Sequence, residues 1–403
     1  MASSWLYRVA LLACAISARA GCGDKNGDCP ETQGHNTSPR RVGSVRERRV
    51  NPRPVSPAEV LAASSGNESA ARVLSTASQS VTINAPDGQS SFTFDSMFTP
   101  KACETLSVQD LPHLTASAVQ QIADAFKPVP APKPLCIAVF GVLIVNSGLS
   151  QAGLYAGYSQ EAFTQFTANA VAELLDQDMD GTPDDAVLMP KMRSGPGGSW
   201  IHAKRTGINF EDSWSSLLGK TVQVSEEHDF ASGITISDQK CNLLEEPYHT
   251  YQHARERAYP SIFGFEDTPS SCDGSNPQSC SWQGSLAKRC SILAQCDWYK
   301  HDETTCSQGT ITGGGCSTPS CAGLEWDWNV EMALTNQYAL SHGMPGSHWQ
   351  TGADMEAKLT STGGACIEFL AALKDSKYHV MQKPFTFNYR SAGSNPTSGT
   401  SGS

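Results

Sequence analysis

The chain has 403 residues, with 40 acidic side chains against 29 Lys and Arg and a formal charge of −11. That length suffices for one large or two medium domains. The acidic balance argues against nucleic acid as a partner, and no run of about 18 or more apolar residues follows the N-terminus to serve as a membrane span.

Residues 1–20 read as a signal peptide: MASSWLYR with one positive charge, the apolar run VALLACAIS, then the small-x-small pattern Ala18-Arg19-Ala20. The chain is therefore expected to be secreted. Residues 21–85 read as a disordered leader or propeptide, polar, proline-bearing and too poor in apolar residues to bury a core. The leader carries two glycosylation patterns, Asn36-Thr37-Ser38 and Asn67-Glu68-Ser69. Arg46-Glu47-Arg48-Arg49 resembles the recognition site of furin-type proteases, so a processing protease cutting after Arg49 is an expected partner. The plainer reading is a solvated basic linker.

Residues 86–390 are expected to form a single α+β domain with a disulfide-rich C-terminal half, and residues 391–403 a disordered tail. The alternation in SVTINAPDGQSSFTFDSMFTP, around a Pro-Asp-Gly turn, predicts a β-hairpin where ordered sequence begins. SAVQQIADAF predicts a short amphipathic helix, and the β-branched run CIAVFGVLIVNS one buried central strand. GYSQEAFTQFTANAVAELL predicts a long helix; TVQVS and GITIS predict strands. Two more helices are predicted at GLEWDWNVEMALTNQYAL and IEFLAALKD, with a loop-like cysteine-rich stretch from 272 to 321. Of 14 cysteines, Cys14 lies in the signal, which leaves 13, and nine of these fall between Cys241 and Cys366. In an exported chain that density reads as a disulfide framework.

The long helix runs directly into Asp176-Gln177-Asp178-Met179-Asp180-Gly181-Thr182-Pro183-Asp184-Asp185. Aspartates at alternate positions bring hard oxygens around one point, and Gly181 permits a sharp turn, as in the first half of an EF-hand loop. Val187 stands where an EF-hand places its bidentate glutamate, so the pattern is closer to the short D-x-D-x-D-G-x-x-D calcium loops. Asp176, Asp178, Asp180 and Asp184 are the expected calcium ligands, with Asp185 in reserve, and the expected role is structural. An acidic turn without an ion is the alternative.

LLEEPYHTYQHARERAYP places His249 and His253 one helical turn apart, a spacing that suits two nitrogens on one zinc ion. Neither H-E-x-x-H nor H-x-x-E-H is satisfied, because Thr250 and Gln252 occupy the acid's positions. Glu245 and Glu246, just upstream, are the candidate general bases. Pro247 predicts a helix start, with Glu246 as the cap or just outside. Glu325 is the first candidate for a third zinc ligand, with Asp327, Glu331 and His301 competing. A solvated face is the alternative, and Arg255, Glu256 and Arg257 look like ordinary surface charge.

Taken together, Ala172-Glu173-Leu174-Leu175-Asp176 through Asp185, then Glu245-Glu246 with His249 and His253, then WYKHDETTC with Cys321 and Glu325, resemble a group of poorly characterised secreted zincin-like proteins. The motif order covers roughly residues 140 to 390. The resemblance implies a zincin-like site at Glu245, Glu246, His249, His253 and Glu325, without implying a substrate. Two departures stand out: Pro247 replaces an apolar helix former, and QGTITGGGCSTPS separates Cys306 from Cys321.

The sequence thus supports a secreted zinc-dependent hydrolase, peptidase-like, acting on a peptide or protein substrate and holding Zn²⁺ and Ca²⁺. The alternative from another class is a non-enzymatic calcium-binding adhesion or matrix protein. A serine hydrolase has weaker support, from Gly148-Leu149-Ser150-Gln151-Ala152, which lacks the second glycine of a nucleophile elbow, and from Ser194.

Overall fold

The computed structural model describes residues 78–84, 90–148, 159–193, 200–203, 221–225, 236–264, 285–297, 319–337 and 351–390. The signal, the expected leader as far as residue 77, Arg49 and both glycosylation patterns lie outside them, as do residues 149–158, Ser194 and His301.

Strands β1 (Gln79–Asn84) and β2 (Ser91–Ser96) form the expected antiparallel hairpin. Because β1 starts at Gln79, the expected domain boundary at 86 falls inside this hairpin. A second, mixed sheet has the order β3 (Lys101–Ala102), β4 (Leu135–Val139), β5 (Val142–Asn146), β6 (Trp200–Ala203), β7 (Thr221–Ser225). Its first two pairings are antiparallel and its last two parallel.

The apolar run read as one strand is two. Phe140 and Gly141 adopt positive φ (50° and 84°) between the paired residues Val139 and Val142. Two consecutive positive-φ residues make the tight turn whose twist matches a hairpin. Phe-Gly lacks the Asn or Asp that usually announces such a turn. A Cβ on Gly141 would stand 2.9 Å from His113 Nδ1, so the position needs glycine for space as well as for angle.

Helices α1 (Ala116–Phe126) and α2 (Gln160–Leu175) occur where the sequence predicts them, each capped by the hydroxyl before it, Thr115 and Ser159. They are followed by α3 (Leu188–Arg193), α4 (Ile236–Ala258), α5 (Pro260–Phe263), α6 (Leu286–Asp297), α7 (Pro319–Leu334), α8 (Gly352–Thr362) and α9 (Ala365–Lys374). Helix α6 lies within the stretch expected to be loop. Ile236 and Ser237, expected in a strand, open α4 instead. The fold class is α+β.

Three apolar clusters organise the chain. One joins the β1–β2 hairpin, β4, β5, α2, α3, α4 and the C-terminal segment around Phe166, Tyr248, Trp328 and Phe387. The second joins α5 to α9 around Trp326 and Phe369. The third packs α1 on the opposite face of β4 and β5. Helix α7 contributes to both of the first two by alternate faces, with Trp328 and Met332 in one cluster and Trp326 and Val330 in the other. Disulfides Cys103–Cys136 and Cys290–Cys366 fasten the third and second clusters. Their presence fits an extracellular protein. Among the described residues, no helix is long and apolar enough to cross a membrane.

The C-terminal segment is held by α2. The buried carboxylate of Glu173 accepts hydrogen bonds from Thr386 N, Thr386 Oγ1 and Asn388 N, each at 2.7 Å. Asn169 Nδ2 donates to Asp95 O (2.9 Å) and Phe387 O (2.8 Å), tying hairpin, helix and tail together. Glu173→Ala leaves these part-buried donors without their acceptor. We expect unfolding free energy in urea to fall by about 2 kcal/mol. A loss under about 0.5 kcal/mol would mean that the segment is held by its aromatic residues alone.

Candidate metal centres

Helix α4 does not start at Pro247. It runs unbroken from Ile236, with Pro247 in its interior and Glu246 well inside rather than at the cap. An interior proline removes one hydrogen bond and crowds the preceding turn, at a cost of ~3 kcal/mol or more. Burial offsets this: Leu244, Tyr248, Tyr251 and Ala254 are all at most 1 % exposed. The Tyr248 ring also packs 4.7 Å from Trp328 of α7. Local propensity is overridden by core packing.

Helix α4 presents Glu245, His249 and Gln252 at helical spacing toward α7. His249 Nε2 lies 3.3 Å from Glu325 Oε1 and 3.8 Å from Glu245 Oε1. One donor atom from each of the three residues lies within 4.8 Å of the others. The structure thus brings together His249 with Glu245 and Glu325, from the two predicted segments. His253 does not join that group among the described residues; its Nδ1 lies 3.1 Å from Glu256 Oε2. The side chain of Glu246 lies outside the description.

The arrangement around His249 fixes its chemistry. Gln252 Nε2 donates to Leu324 O (3.1 Å) and Asp327 Oδ2 (3.0 Å). Both partners can only accept, so the amide is oriented and its Oε1 is the atom 2.7 Å from His249 Nδ1. Nδ1 therefore carries the hydrogen, and Nε2 is the ring atom turned toward the two carboxylates. A neutral Nε2 lone pair and a carboxylate at 3.3 Å repel unless a cation or proton sits between them. With metal–ligand bonds of ~2.0–2.1 Å, the edge of a tetrahedral site is ~3.3–3.4 Å. The His249–Glu325 distance matches that edge. The donor chemistry fits a divalent metal.

Two of the rival third ligands are committed elsewhere. Arg255 is 1 % exposed, and its Nη2 donates to Asp327 Oδ2 at 2.6 Å and to Glu331 Oε1. The guanidinium also stacks 4.2 Å from the Phe263 ring centroid. Burial raises the pKa of Asp327 against the opposing pull of Arg255, and burial pushes Glu331 well above the usual carboxylate range. Arg255 and Glu256, expected as surface charge, are buried. The stripe Leu244, Tyr248, Tyr251, Arg255 is the signal that could have placed Arg255 in the core. Asp327 and Glu331, one turn apart on α7, are its counterpart.

In the aspartate loop, oxygens of Asp176, Asp178 and Asp184 converge within 4.8 Å. Gly181, at φ 91°, makes the turn and donates its N–H to Asp176 Oδ2 at 2.8 Å. Asp180 does not join; its carboxylate accepts from Thr182 N at 2.7 Å. Asp185, held in reserve by sequence, has another task. It caps α3 through Val187 N and Leu188 N, both at 2.8 Å, and accepts from Tyr259 Oη at 2.9 Å. Arg257 Nη2 donates to Lys191 O at 2.9 Å. The exit of the loop is thereby fastened to the last turn of α4.

No family model matches this chain. No curated protein and no solved structure is significantly similar to it either. The two clusters therefore stand on their geometry.

Burial raises the Asp176 pKa to about 6, opposed by the hydrogen bonds from Tyr389 and Gly181 and reinforced by Asp178 and Asp184. Burial likewise raises Asp184. A raised carboxylate favours the folded state when protonated. That contribution is complete below the unfolded value of 3.8 and is lost as pH rises through about 6. A bound cation replaces the proton. Calcium should therefore raise the melting temperature clearly at about pH 7.5 and much less at about pH 5. Equal shifts at both pH values would contradict a site built on these carboxylates.

Proposed function

We propose that this chain is an extracellular metal-dependent hydrolase, peptidase-like, with zinc at the α4–α7 interface and calcium in the aspartate loop. The observation that carries the reading is the convergence of His249 Nε2 with the carboxylates of Glu245 and Glu325. His249 and Glu325 are the ligands whose separation suits a shared ion; His253, which lies outside that group against Glu256, would have to turn toward the ion to become the third. Glu245, at 3.8 Å from Nε2, stands farther off than a tetrahedral edge and is better suited to act as general base. It takes that role in preference to Glu246.

When bound, zinc would supply Lewis acidity and a water that ionises near neutral pH, with a pKa of ~7. The protein's part is to hold and orient. His249 offers a neutral nitrogen, Glu325 one carboxylate oxygen, and Glu245 Oε1 accepts a proton from water and returns it to the leaving group. In the aspartate loop, Asp176, Asp178 and Asp184 offer the hard oxygens calcium prefers, and Asp180 shapes the turn. The calcium site's role is structural, bracing α3 and the end of α4. The secreted zincin-like group resembled by the motif order is the family we propose, and the signal and leader precede the enzyme. A calcium-stabilised matrix or adhesion protein is the second reading, favoured by the absence of an acid directly beside either histidine.

The test is metal content of the secreted protein, purified without chelator, beside His249→Ala and Glu325→Gln. We expect about one zinc per chain, lost in both variants while calcium and the fold are retained. Glu245→Gln should keep the zinc and lower peptide-cleavage rate by ~10²-fold or more. No zinc in the wild type would sink the hydrolase reading and leave the matrix protein.

A further inference from the structure

Each of the two histidines has a hydrogen-bond acceptor three residues on. His249 Nδ1 lies 2.7 Å from Gln252 Oε1, and His253 Nδ1 lies 3.1 Å from Glu256 Oε2. Gln252 is 1 % exposed and Glu256 3 %, so these acceptors are buried rather than solvated. The first is also directional. Its amide is locked by Leu324 O and Asp327 Oδ2, and Asp327 is locked in turn by Arg255. In H-x-x-E-H metal sites the residue before the second histidine is an acid; here the same place holds an amide whose oxygen faces the first histidine.

From this we propose that Gln252 and Glu256 are positioning residues, holding His249 and His253 in the tautomer that keeps the hydrogen on Nδ1; at His249 this leaves Nε2, the atom beside Glu325 and Glu245, to bind metal. The inference rests on the zinc reading for its purpose and on the two contacts for its content. Gln252 is not a failed general base. An ionised acid there would face the Asp327 carboxylate at 3.0 Å, so the amide is what the neighbouring buried charges allow. Ligand histidines in general carry such a partner, and its loss typically weakens metal binding 10- to 100-fold.

The test uses the full secreted chain labelled with ¹⁵N-histidine, stripped of metal, at about pH 8, where a histidine of ordinary pKa (~6.5) is neutral. Long-range ¹H–¹⁵N correlations assign the tautomer of each ring, with signals identified from single His→Gln variants. We expect the Nδ1–H tautomer for both residues in the wild type. Gln252→Met should release His249 into a mixture and leave His253 unchanged, and zinc affinity measured by competition should fall about 10- to 100-fold. Glu256→Met should do the same to His253, and Glu256→Gln, which keeps an acceptor oxygen, should restore it. A wild-type His249 carrying its hydrogen on Nε2 would overturn the inference, as would a Gln252→Met protein with unchanged tautomer and zinc affinity. Should Gln252→Met not fold, the wild-type spectrum decides. Should the wild type bind no zinc, the hydrolase reading fails, and the tautomers still judge the positioning role.

Discussion

Arg255 sits between α4 and α7 with its guanidinium held by Asp327 and Glu331 and covered by Phe263. All three ionisable side chains are at most 1 % exposed. Buried charges are tolerated only when paired, and removing one partner of such a group costs about 3–5 kcal/mol. The two helices can therefore slide past one another only by breaking this arrangement. It fixes which turn of α7 faces which turn of α4. Glu325 lies two residues before Asp327, and its oxygen comes to 3.3 Å from His249 Nε2 as a consequence. The polar stripe reaches farther up α4 through Gln252, which touches Asp327 on one side and His249 on the other. A chain of contacts thus leads from an ion pair that binds nothing to the atom proposed to bind metal.

The second frame is the one around Asp176. The loop leaves α2 and is covered by the C-terminal segment, whose Tyr389 hydroxyl donates to Asp176 Oδ2. Glu173, one turn earlier, holds the same segment. On its far side the loop delivers Asp185 to the α3 cap and to Tyr259 just beyond α4. Repulsion among three converging carboxylates would loosen these attachments together, and a cation that neutralises them would tighten them together. The loop exit and the end of the histidine helix are joined by these hydrogen bonds, so a structural ion in the loop is expected to brace that helix as well.

Much of this was legible in the residues. Alternation gave the first hairpin, apolar steps gave α1 and α2, and ligand spacing gave the aspartate loop; it also paired His249 with His253, whereas the structure sets His249 beside Glu325, one of four candidates for a third ligand. What escaped had physical causes. Phe140-Gly141 turns the chain without a conventional turn residue, so two strands read as one. Local energetics favour a helix start at Pro247, whereas the buried stripe of Leu244, Tyr248 and Tyr251 holds a helix around it. Arg255 and Glu256 read as surface because charge is usually solvated. The partner of Arg255 lies more than seventy residues away, out of reach of local pattern, whereas that of Glu256 is His253 on the preceding turn. The use of Asp180 and Asp185 as turn and helix caps follows from backbone donors that sequence spacing does not reveal.

The account depends on Nε2 of His249 facing a shared ion with Glu325. The most direct test is a crystal structure of the zinc-loaded protein with anomalous data collected at the zinc edge. The account predicts a peak at the α4–α7 interface, bonded to His249 Nε2 and a Glu325 oxygen at ~2.0–2.2 Å, with Gln252 Oε1 still on Nδ1. A zinc bound through Nδ1, or one found only elsewhere on the protein, would contradict it.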